Sequence, residues 1–235
     1  MRVDKLLEDK LFELKEEEYQ SFLSKLIPTI NKNTIIGVRV PKVKTLAKEI
    51  YKEISEKEVN QFLKILPHKY YEEYFFHIYY IDKLYKKDFD NSIILINNLL
   101  PYVDNWAICD TIKIKVFEKN KKDLIPHIKK WIKSKHTYTI RYAIDLLMSL
   151  YLDEDYSKEY LEMVSKVKSK EYYVNMMISW FYATALAKRW EDTVIYINEY
   201  KLDSFVHNMT IKKARESFRI SDTRKEYLKK YIIKK

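Results

Sequence analysis

The sequence predicts an all-α protein, and three observations carry that prediction. One glycine and five prolines in 235 residues leave almost nothing to supply the positive φ that tight hairpins need. Apolar residues make up 47% of the chain, enough for a substantial core, and they alternate with Lys and Glu at helical spacing. Long helical segments also return at a nearly constant interval along the chain.

In order, a first helix is expected over residues 3–26, ended by the approach to Pro28. Residues 28–36 lack helical periodicity. Gly37-Val-Arg-Val-Pro41 follows with the only glycine, and Pro41 suits the first turn of a helix over residues 41–54. Ser55-Glu-Lys-Glu58 has the form of a capping box and starts another. Beyond it, long helices are expected over residues 70–85, 104–119, 138–152, 171–188 and 208–219. Their starts lie 33 to 37 residues apart, and shorter helices over 91–99, 124–132 and 157–167 fall between them. Helix pairs at that period predict an α-solenoid superhelix of HEAT-like repeats, a single domain over residues 1–235. The long second helices of such a stack line a concave face.

Charge favours a polyanionic partner. Lys and Arg number 44 against 34 Asp and Glu, a net of +10. The excess is lopsided: residues 211–235 hold ten basic and three acidic side chains, whereas residues 1–26 hold five and seven. The expected concave groove is therefore basic. Cys109 is the only cysteine, so no intramolecular disulfide forms, and its apolar surroundings mark a buried structural thiol. Without a signal peptide or long apolar run, the expectation is a cytoplasmic monomer with no membrane partner. The five histidines (68, 77, 127, 136 and 207) have no metal-ligand spacing, and one glycine makes no phosphate loop, so neither metal nor cofactor is expected.

The chain centres on Val103-Asp-Asn-Trp-Ala-Ile-Cys-Asp110. Trp106 and Asp110 stand four apart, hence on one helix face, where an indole and a carboxylate hold an electron-poor ring or a developing cation. A packed Trp and a solvated Asp are the plainer alternative. Tyr74, Trp106, Asp110, Arg141, Tyr173, Trp180 and Arg215 recur at comparable places on the expected concave helices. Arg215 and Arg219, four apart, form a phosphate clamp or a solvated face.

Five motifs in order resemble the AlkD-like DNA alkylation repair proteins built from HEAT-like repeats. They are Gly37-Val-Arg-Val-Pro41, Asp104-Asn-Trp-Ala-Ile-Cys-Asp110, Trp131-Ile-Lys-Ser134, Ile140-Arg-Tyr-Ala-Ile144 and Tyr172-Tyr-Val-Asn-Met-Met-Ile-Ser-Trp180, within roughly residues 10–220. The resemblance implies a glycosylase that excises cationic N3- and N7-alkylated purines from duplex DNA. It implies Asp110 as the catalytic carboxylate, Trp106 and Trp180 as the lesion-contacting aromatics, and Arg141 as a phosphate contact. Arg39, in the first motif, joins Arg141, Arg215 and Arg219 as an expected phosphate ligand. Such a protein is nucleoid-associated when bound.

Two places depart from the family pattern. Ala183 stands where those glycosylases carry an Arg one turn after the second Trp, and residues 28–36 leave no room for their N-terminal lesion-contacting helix. Three functions follow: an active glycosylase, a non-catalytic DNA-binding relative, or a protein-binding scaffold.

Overall fold

The computed structural model describes residues 3–234. It contains fifteen α-helices and no strand among them, an order of paired helices consistent with an α-solenoid. The chain clusters into two compact units, Met1–Lys121 and Lys122–Lys235.

In the N-terminal unit the expected first helix is two, α1 (Val3–Glu13) and α2 (Glu17–Leu26). The break has a local cause. Leu14 and Lys15 close α1 with tight i→i−3 bonds, and the Glu16 N–H is taken by the Gly37 carbonyl at 3.1 Å. Gly37 has φ +98°, and a Cβ there would lie 2.7 Å from both Gln20 Cβ and the Glu16 carbonyl. Next come α3 (Val40–Glu53), with Pro41 in its first turn, and α4 (Glu56–Phe62), whose Ser55–Glu58 capping box forms as expected.

Helix α5 (Tyr71–Leu84) is the core of this unit. Its buried Glu72 carboxylate accepts the N–H groups of Ile36, Gly37 and Val38 at 3.0, 2.7 and 3.1 Å. An otherwise irregular segment is thereby fixed, its orphan donors satisfied by one side chain. Burial pushes the Glu72 carboxyl up, and the three N–H bonds oppose it.

Helix α6 (Phe89–Leu99) follows α5. The expected long helix over 104–119 is a single turn, α7 (Trp106–Cys109), then α8 (Lys115–Lys119). Thr111 and Ile112 fold back with i→i−3 bonds, and the Thr111 hydroxyl takes the Ile108 carbonyl at 2.8 Å. The β-branched residues Thr111, Ile112 and Ile114 suit that extended link better than a helix.

The C-terminal unit begins at Lys122, inside α9 (Lys121–Trp131). It continues through α10 (Thr137–Leu150), α11 (Lys158–Ser165), α12 (Tyr172–Lys188), α13 (Trp190–Asn198), α14 (Ser204–Glu216) and α15 (Asp222–Lys229). Helix α12 is apolar on nearly every face because it packs between α10 and α14. The short α13 before α14 follows the expected pairing, α15 lies beyond the expected helices, and α14 starts four residues early because Asp203 caps it.

Candidate active site

The Trp–Asp pair is held by an asparagine. Asn105 is buried, and its Oδ1 accepts the Ile108 N–H at 2.9 Å, the N-cap bond that starts α7. Its amide donates to Asp104 Oδ1 at 2.9 Å, so the cap is itself oriented. One turn later the Asp110 N–H donates to the Trp106 carbonyl at 2.9 Å, and Asp110 ends the helix. Trp106 and Asp110 therefore stay one turn apart although the helix is only four residues long. Both are partly exposed, whereas Ile108 and Cys109 between them are buried. The partly exposed side chains and the buried ones that anchor the turn thus separate within one turn.

Arg39 lies in the same unit, at the N-cap of α3. Its Nε donates to Glu16 Oε2 at 2.8 Å, and its guanidinium stands 4.8 Å over the Tyr19 ring. Lys42 donates to the other Glu16 oxygen at 2.8 Å, and these two cations hold the Glu16 carboxyl below its ordinary range, Lys42 most.

The other expected residues belong to the C-terminal unit. Arg141 is 1% exposed on α10. Its Nη1 donates to the Tyr173 carbonyl at 2.7 Å, and its guanidinium lies 5.2 Å from the Trp180 ring centre. A guanidinium over the electron-rich face of an indole is attracted to it, which helps hold the ring in place. Trp180 is partly exposed on α12, and Ala183, one turn on, is buried. Arg215 and Arg219 have no carboxylate partner among the described residues. Between them Phe218 is wholly exposed, and the Arg215 Nε is a buried donor without a described acceptor.

Sequence reasoning missed two supports. Asn105 was legible, since Asn at a helix start is a cap signal. The Tyr173 carbonyl was not, because a backbone acceptor has no residue-type signature. Among the described residues no group of three or more His, Cys, Asp or Glu side chains is placed to hold a metal ion. No helix among them is long and apolar enough to cross a membrane.

Comparison with known proteins gives one family. The family model described as DNA alkylation repair enzyme matches residues 4–218. No curated protein matches the chain.

Proposed function

This chain belongs to the DNA alkylation repair enzyme family, and from that premise we propose that it binds duplex DNA and hydrolyses the N-glycosidic bond of cationic N3- and N7-alkylpurines. The observation that carries the reading is the Asn105-capped turn, which presents Trp106 and Asp110 together to solvent. In this reading the paired helices line a concave basic groove, and Trp106 and Trp180 are its lesion-contacting aromatics.

The chemistry asks little of the protein. An alkylated purine already bears positive charge, so it departs neutral, taking the bonding electron pair from C1′. The sugar becomes oxocarbenium-like, and the Asp110 carboxylate stabilises that charge and orients the water that adds to C1′. The water's proton passes to solvent. Trp106 and Trp180 favour the cationic base over ordinary ones through their ring faces. Arg141, buried against Trp180, acts as the positioning residue for that ring, while Arg39, Arg215 and Arg219 meet phosphates.

Release of N7-methylguanine and N3-methyladenine from methylated duplex, separated by chromatography, tests the reading. Release above the spontaneous rate is expected, and release at that rate removes the hydrolytic claim. Buried Ala183 favours a second reading, in which duplex binding persists without turnover. Binding with no release is its result.

A further inference from the structure

Two identical tripeptides sit one repeat apart in the C-terminal unit. Lys133-Ser134-Lys135 precedes α10, and Lys168-Ser169-Lys170 precedes α12. They fold alike: the Ser134 hydroxyl accepts the His136 N–H at 3.0 Å, and the Ser169 hydroxyl accepts the Glu171 N–H at 3.0 Å. Each serine closes a short turn, leaving its flanking lysines outside it. All four lysines are exposed, and none has a carboxylate partner among the described residues. Nearby lysines differ, since Lys129 is paired with Glu159 at 2.7 Å and Lys166 with Glu162 at 2.6 Å.

The same edge holds a chain of rings. His136 lies 6.3 Å from Tyr138, Tyr138 is 6.1 Å from Tyr173, Tyr173 is 5.3 Å from Tyr172, and Tyr172 is 6.1 Å from Phe205. Four of these rings belong to the first turns of α10, α12 and α14, so the starts of three helices stand side by side. Tyr138 is buried, but Tyr172 is 56% and Phe205 39% exposed. The acids of this edge are Glu171 and Asp203, both at helix caps, and Asp203 is turned back onto the Phe205 N–H. Ring faces left in water beside unpaired ammonium groups match a ligand with flat bases strung on an anionic backbone.

We propose that this edge is a second nucleic-acid contact, which grips a single DNA strand. The four lysines hold its phosphates, and the exposed face of Tyr172 takes a base that has left the helical stack. Phe205 supports Tyr172 edge-on. The proposal rests on the DNA reading above but needs no glycosidic chemistry.

Fluorescence anisotropy of the full chain with a labelled oligothymidylate strand, and separately with a fully paired duplex, tests it across a salt series. Wild type is expected to bind the single strand with a steep salt dependence. Replacing Lys133, Lys135, Lys168 and Lys170 together by Ala should flatten the log K against log salt slope by about 3, from about 0.7 per phosphate on a single strand. Tyr172→Ala should weaken single-strand binding by about fivefold to a hundredfold, and Tyr172→Phe should restore it. All five side chains are solvent-facing, so circular dichroism should report an unchanged fold. Absence of single-strand binding, or variants that bind it as wild type does, overturns the proposal. Salt-sensitive single-strand binding without paired-duplex binding sinks the duplex reading and leaves this one standing.

Discussion

Gly37 and Asn105 are the two residues on which the local architecture turns. At Gly37, φ is +98° and two atoms of residues 16 and 20 lie within 2.7 Å of where a Cβ would stand. Gly37→Ala should therefore destabilise the protein by at least about 2 kcal/mol, read as a shift of the urea midpoint. An unchanged midpoint would mean that α2 moves aside freely. Asn105→Ala removes the cap of α7 and should cost about 1 kcal/mol. It should also lower base release more than duplex affinity, because it frees Trp106 and Asp110 without touching a phosphate contact. Equal losses in both would contradict that placement. Gly37 announced itself as the chain's only glycine. Arg141 reads from the sequence as a phosphate contact, but its burial against Trp180 was not legible, because the contact joins residues on two helices and leaves no periodic trace in either.

At the scale of elements, α4 and α5 enclose a histidine pair. His68 Nε2 and His77 Nδ1 are 2.8 Å apart, packed against Phe62 and Tyr74. Burial lowers both, His68 to about 3. A folded-state value below the unfolded 6.5 means that the native state binds fewer protons, so their contribution is present above pH 6.5 and lost as pH falls towards 3. Glu73 works the other way. Burial raises it to about 7, so its contribution is fullest below its unfolded value and is lost as pH rises through 7. The two effects oppose each other between pH 4.5 and 6.5. Replacing both histidines by Leu should remove their part of this dependence and leave the carboxylates' part, that of Glu73 included. The variant's unfolding free energy should then gain on wild type as pH drops from 6.5 to 5, by up to about 1.4 kcal/mol per pH unit for each histidine, read from urea midpoints. A constant difference would mean that the pair is not held neutral. Elements with a capping signal, such as α4 after Ser55, were legible in outline. The short turn α7 was not, because hydrophobic periodicity continues past Asp110 while the β-branched run that breaks the helix reads as ordinary apolar positions.

For the whole molecule, the near-absence of glycine and the repeat period sufficed to read an all-helical chain of paired helices. The asymmetry of charge is what favours the polyanionic partner of the proposed function. Residues 211–235 carry ten basic and three acidic groups, with Arg215 and Arg219 unpaired beside exposed Phe218. Replacing both arginines by Ala should flatten the salt dependence of duplex binding by about 2 in log–log slope, at about 0.9 per phosphate. An unchanged slope would remove the clamp from the interface. The central claim concerns Asp110, and the most direct measurement is single-turnover release of N7-methylguanine from a duplex holding one such base. With enzyme saturating, Asp110→Asn should release it about a hundredfold to a thousandfold more slowly than wild type, at comparable duplex affinity. Equal rates for the two proteins would contradict the role assigned to the carboxylate.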